Sequence, residues 1–185
     1  MGNLKKLVKD YIVVLQHPVT TEYKNTKNNI LQTVKAIHKL GKPTIWFWPN
    51  IDAGNDLISK EIRKFREKYN PKNIFFIKNL SPENFLNVII KSNCIVGNSS
   101  VAIRECSYLG VPAVNIGTRQ GGREHGKNVI HTNYNQTKII NAINYQLRKK
   151  RYKGSKIFGD GSSGLKIVKI LEKYKFENLQ KRLKY

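Results

Sequence analysis

The stretch Gly97-Asn98-Ser99-Ser100 sets an amide and two hydroxyls where the apolar run Cys94-Ile95-Val96-Gly97 hands over to a segment of helical period. Ser and Asn at such a place cap the unpaired N–H groups of a first helical turn. The same N–H groups and the helix dipole also favour a bound anion, a phosphate above all. Other residues suit the second chemistry. His17 directly follows an apolar run and precedes Pro18, which biases its backbone towards an extended form and helps fix the loop. Arg119 has Gly117 and Gly121 close on either side, leaving the backbone free to bring its guanidinium onto a phosphate. Glu105, five positions beyond Ser100, has the reach to accept from ligand hydroxyls, and two hydroxyls beside a diphosphate mean a ribose. A packed loop histidine, a surface arginine and a helix cap are the plainer readings of the same residues.

The elements that must position these residues follow from periodicity. Short apolar, β-branched or aromatic runs at 11–16, 44–48, 73–78, 94–97, 112–116 and 128–132 alternate with helical patterns at 23–41, 55–69, 82–92, 100–109, 135–150 and 162–175. This βαβα order predicts an α/β fold built on one Rossmann-like open parallel sheet, and unbroken apolar strands are what a sheet covered on both faces requires. Ser81-Pro82-Glu83 reads as a helix start, and Gly41 and Gly110 as helix ends. Ligands of such sheets bind beyond the carboxyl ends of the strands. The loops there are 16–23, 49–56, 79–84, 97–100 and 117–127, and they gather His17, Asn50, Asp52, Ser99, Ser100, Arg119 and Arg123 on one rim.

Composition narrows the function. With 39% hydrophobic residues the 185-residue chain is globular and long enough for a real core. No apolar run nears the roughly 20 residues of a membrane span, and the start of the chain lacks a signal-peptide core, so a soluble cytoplasmic protein without membrane attachment is expected. Cys94 and Cys106 read as reduced core residues, and four scattered histidines give no metal spacing. The formal charge of +22 invites a polyanion. Yet the lysines are dispersed, apart from a dense run at 147–156, and no nucleic-acid-binding motif accompanies them, so no specific nucleic acid partner is expected. Gly121, Gly126 and Lys127 nearly make a phosphate-binding loop, but Asn128 replaces the Ser or Thr needed for magnesium and a strand follows. A dinucleotide fingerprint after the first strand is missing as well, and no cofactor is expected.

Taken together, QHPVTTEY, PNIDAG, GNSSVAIRE, GVPAVNIGTRQGGRE and SKIFGDG, in this order from about residue 10 to about 175, closely resemble the C-terminal half of the hydrolysing UDP-N-acetylglucosamine 2-epimerases. The resemblance implies the C-terminal domain of a glycosyltransferase-B-type fold, which holds UDP while the sugar lies in the cleft towards an N-terminal domain. The reaction it implies expels UDP by elimination across C1 and C2 and adds water to the glycal, giving the free 2-epimeric sugar used for sialic acid or cell-surface polysaccharide. By the same resemblance His17, Ser99 and Ser100 contact the diphosphate, with His17 also a candidate catalytic residue. Glu105 takes the ribose, and Asn50, the backbone at Leu80 and Arg119 complete the nucleotide site. The family's N-terminal half, which supplies most acids and bases acting on the sugar, has no counterpart here. The expected organisation is a lead-in over 1–10, the UDP-binding domain over 11–176 and a basic tail over 177–185. The expected partners are UDP or a UDP-sugar, an N-terminal domain in cis or in trans, and a possible second copy. Competing readings are a stand-alone UDP-binding module without turnover and half of a related glycosyltransferase.

Overall fold

A computed structural model describes residues 10–175. The lead-in and basic tail expected at the two ends lie almost wholly outside these residues. The main elements run β1 (Ile12–Leu15), α1 (Thr26–Leu40), β2 (Thr44–Phe47), α2 (Asn55–Tyr69), β3 (Ile74–Ile77), α3 (Pro82–Lys91) and β4 (Cys94–Gly97), then α4 (Glu105–Leu109), β5 (Ala113–Ile116), β6 (Val129–Thr132), α5 (Gln136–Lys149) and α6 (Ser163–Leu171). All strand pairs are parallel, in the order β3-β2-β1-β4-β5-β6.

Side chains along a strand point alternately to its two faces. On one face Ile12, Val14, Trp46, Val96, Val114 and Ile116 pack against residues of α1, α2 and α5. On the other, Val13, Leu15, Ile45, Phe47, Ile95 and Ala113 meet Ile89 of α3 and Cys106 of α4. Both faces are covered, which is why the strands read as unbroken apolar runs. Each buried Ile or Val side chain contributes roughly 1.5–3 kcal/mol, and residues such as Ile30, Ile37, Ile62 and Ile139 are fully buried. The helix punctuation behaves as its residues dictate: Ser81 caps α3 through the Asn84 N–H, and Gly41 and Gly110 end α1 and α4 in the left-handed region.

Two elements differ from expectation. The run 100–109 is not one helix: a 3-10 turn covers Ser100–Ala102, Arg104 sits at φ −88° and ψ −74°, and α4 starts at Glu105. The β-branched Val101 and Ile103 crowd this first turn, and Ile103 is drawn wholly into the core. The first expected helix likewise begins later, at Thr26, after a kinked 3-10 segment over Thr20–Asn25.

The last helix stands apart from the core. None of its residues is buried, although its sequence SGLKIVKIL is largely apolar, and Leu165 and Ile170 are 70% and 63% exposed. No helix among the described residues is long and apolar enough to cross a membrane.

Candidate functional site

Because every strand runs the same way, the loops after β1, β2, β3, β4 and β5 all open on one edge of the sheet. The chain first builds outward from β1 through β2 to β3, then returns to lay β4 on the other side of β1. The carboxyl ends of β1 and β4 therefore form the topological switch point, the place where open α/β sheets bind ligands. His17 follows β1 there, and Asn98-Ser99-Ser100 follow β4.

Gly97 brings these two loops into contact. Its φ is +138°, and a Cβ on it would lie 2.0 Å from the Leu15 carbonyl oxygen. Close approach of this kind needs glycine. Asn98, fully buried, then works as a junction. Its Oδ1 accepts from the His17 N–H at 2.7 Å and its Nδ2 donates to the His17 carbonyl at 2.8 Å. Its own N–H donates to Leu15, and its carbonyl accepts from Arg119 Nη1 at 3.2 Å and Gln120 Nε2 at 2.9 Å. Arg123 in turn donates to Gln120 Oε1 at 2.8 Å. One carboxamide thus fixes the histidine loop to β4, and one carbonyl fixes the arginine loop to the same point.

His17 is buried, and its Nδ1 accepts the Asn50 N–H at 3.2 Å. That bond assigns the ring proton to Nε2, which is left as a donor. Burial, reinforced by the Arg119 guanidinium and opposed by Asp52, lowers its pKa from the ordinary 6.5 to about 4. The imidazole is consequently neutral at physiological pH and offers its Nε2–H as a hydrogen-bond donor, with the Arg119 guanidinium as a nearby cation. A pH dependence follows. A base whose pKa is lowered by folding binds fewer protons in the folded state. The stability linked to it is complete above pH 6.5, falls as pH drops towards 4, and levels off below. The span corresponds to about 3 kcal/mol. Urea unfolding between pH 7 and pH 4 should show this loss in the wild type and a shallower one in His17→Gln, in which the titrating group is gone.

The remaining expected residues divide into those the structure joins and those it leaves apart. Asn50 meets His17 through its backbone, and Arg119 meets Asn98 as described. Ser99 caps the 3-10 turn, its Oγ accepting weakly from the Val101 N–H at 3.4 Å, and Ser100 follows as the first residue of that turn. The broken helix leaves the dipole contribution at Ser99 and Ser100 that of a single turn, weaker than a continuous helix would supply. Leu80 lies on the same rim, but its N–H is occupied by the side chain of Asn79 at 2.9 Å, leaving the carbonyl as the backbone group to offer. Glu105 opens α4, and its Oε2 is buried without a hydrogen-bond partner among the described residues. An orphaned carboxylate oxygen is costly unless a ligand hydroxyl meets it. Asp160, in the SKIFGDG stretch, lies outside the residues expected on this rim and turns onto the N–H and hydroxyl of Ser162. Asn128 spends its side chain on Ser107 and the Val111 carbonyl and leads into β6, which disposes of the phosphate-loop reading.

Of the residues that build this junction, the sequence reading took Asn98 only for a cap of the turn and passed over Gln120. Both stand inside the quoted motifs, but their partners are backbone groups on distant loops, which no spacing rule points to.

The family model for UDP-N-acetylglucosamine 2-epimerase matches residues 2–172. The chain belongs to this family. The UDP-N-acetylglucosamine 2-epimerase of Neisseria meningitidis serogroup B is 34% identical over 163 residues, covering 88% of this chain and 42% of that protein. The UDP-N,N'-diacetylbacillosamine 2-epimerase (hydrolyzing) of Legionella pneumophila is 27% identical, covering 89% and 43% respectively. Among solved structures, the Methanocaldococcus jannaschii UDP-GlcNAc 2-epimerase in complex with UDP-GlcNAc and UDP superposes with a TM-score of 0.71 at 23% identity, over 92% of this chain and 47% of that one. The chain spans less than half the length of these epimerases, matching their C-terminal half.

Proposed function

We propose that this chain is the UDP-binding half of a hydrolysing 2-epimerase acting on UDP-N-acetylglucosamine or a related UDP-acetamido sugar, and that an N-terminal half completes it. The observation that carries the reading is the junction at Asn98, which holds a neutral, donor-bearing histidine and an arginine on either side of a serine turn. In the forward reaction a base removes the proton on C2 of the sugar, the C1–O bond breaks, and its electron pair stays with the departing UDP. The C2–H pair forms the C1=C2 bond of the glycal; water then adds across it, its hydroxyl to C1 and a proton to C2 on the face opposite the one deprotonated, so that C2 is inverted. This half would receive the leaving group. The His17 Nε2–H and the hydroxyls of Ser99 and Ser100 donate to the diphosphate, Arg119 balances its growing charge, and Glu105 accepts from the ribose hydroxyls. Proton transfer at the sugar falls to the other half. The apolar, uncovered α6 supports a surface made to be completed by further polypeptide.

Calorimetry with UDP tests the reading. The wild-type chain should bind, and the double variant Ser99→Ala, Ser100→Ala should lose charge-assisted bonds worth roughly 1.5–3 kcal/mol each, weakening affinity by more than about a hundredfold. Equal affinity in the two proteins would refute it.

A further inference from the structure

The serine turn, which would take the diphosphate, and Glu105, which would take the ribose, stand on opposite sides of the break at Arg104, so no continuous helix fixes the span between them. Another group must set it. Asn128 is buried where the loop that carries Arg119 and Arg123 enters β6, and its side chain reaches both sides of the break. On the near side its Nδ2 donates weakly, at 3.4 Å, to the carbonyl of Ala102, the last residue of the 3-10 turn. On the far side its Oδ1 accepts from Ser107 Oγ of α4 at 2.9 Å, and Nδ2 also donates to the Val111 carbonyl, just past the end of α4, at 2.8 Å.

Both residues are held in turn. Ser107, buried, accepts the Gly126 N–H on its Oγ at 3.0 Å and the Ser155 N–H on its carbonyl at 2.8 Å. The Asn128 carbonyl accepts from the Ala113 N–H at 2.9 Å and from Gln146 Nε2 at 2.8 Å. Gly126 leaves no room for a side chain, since a Cβ there would lie 2.7 Å from Asn128 Oδ1 and 2.8 Å from Ser107 Oγ. Buried polar groups engaged on every side are costly to displace.

We propose that Asn128 and Ser107 form a splint across the break at Arg104, setting the span from the serine turn to Glu105 and with it the preference for a ligand that carries a diphosphate and a ribose together. They are positioning residues and touch no ligand. The loop of Arg119 is anchored separately, on the Asn98 carbonyl, so the splint acts on the ribose end of the site. The proposal rests on the reading of the rim as a UDP site.

Calorimetry with UDP and with 2′,3′-dideoxy-UDP, which lacks the ribose hydroxyls, separates positioning from general loosening. In Ser107→Ala, UDP affinity should fall about threefold to tenfold, the scale of one buried hydrogen bond, while dideoxy-UDP affinity stays that of the wild type. Ser107→Ala combined with Glu105→Ala should bind UDP no more weakly than Glu105→Ala alone. Ser107→Cys keeps a weaker donor and acceptor in the same place; its UDP affinity should fall between those of Ser107→Ala and wild type, and it takes over the test if the alanine variant does not fold. Unchanged UDP affinity, equal losses for the two ligands, or full additivity with Glu105→Ala overturns the splint. If the wild-type chain binds no UDP, the function reading fails and the splint is judged by amide exchange. The Tyr108 N–H, which donates to the Arg104 carbonyl at 3.2 Å, should then lose protection in Ser107→Ala or Ser107→Cys while the amides of β4 keep theirs. Unchanged exchange at Tyr108 overturns the splint.

Discussion

The 185-residue chain, given UDP-N-acetylglucosamine, is expected to release no UDP above the uncatalysed background, although it is expected to bind UDP. The rim described above walls a ligand on one side. Positioning in a closed site accounts for roughly 7–11 kcal/mol of a barrier, and a cleft open to water on its other side forfeits most of this. General acid and base groups, each worth about 10²–10⁴-fold, are likewise expected from the missing wall. Adding the N-terminal half of a related epimerase in trans, or fused ahead of Met1, should restore turnover and yield UDP and free 2-epimeric sugar in equal amounts, followed by coupled UDP release and by NMR of the sugar. In that reconstituted enzyme His17→Ala should cost about 10²–10³-fold, as expected for a donor removed from a developing anion. Steady turnover by the chain alone would mean that carboxylates of its own, such as Asp52 or Glu105 on the rim, carry the proton transfers, and the half-enzyme reading would fall.

Gly97→Ala should be the most damaging single change to the fold. The new methyl would sit 2.0 Å from the Leu15 carbonyl oxygen at a backbone φ of +138°. Strain of this type costs about 1–3 kcal/mol, and forced separation of two packed strands a further 1–3 kcal/mol or more. A loss of about 3–5 kcal/mol is expected by urea unfolding, a large share of the stability of an ordinary domain. Gly41→Ala is the control. That glycine also has a positive φ, +67°, but nothing lies within 4 Å of its would-be Cβ, so only about 1 kcal/mol of conformational cost is expected. Comparable losses for the two would show that β1 and β4 can part cheaply at Gly97.

Much of this architecture was legible in the residues. The strand at 94–97 and the helix at 55–69 have the bounds that their runs and punctuation announce, because apolar periodicity records burial directly. The parallel sheet and the rim that carries His17, Asn50, Leu80, Ser99 and Arg119 follow from strand and helix order. The split at 100–109 was not legible, since the helical period persists in the sequence while tertiary packing of Ile103 overrides it locally. Nor was the role of Asn98. A carboxamide in a turn reads as a cap, and only folding reveals that it clasps the backbone of a residue 81 positions away.

The strand order also bears on the sequence of events by which the molecule assembles. Each of β1 with β2, β2 with β3, β4 with β5 and β5 with β6 joins neighbours in the chain, whereas β1 with β4 joins the two halves of the sheet. That seam closes the longest loop of any strand pair, and loop-closure entropy and non-local pairing make such steps slow. The rim is made from both sides of the seam, so it comes into being only when the two halves dock. A nucleotide that bridges His17 and Ser99 therefore binds the docked form selectively and holds the late junction shut by mass action. The crevice proposed to receive the nucleotide is also the joint whose closure completes the domain.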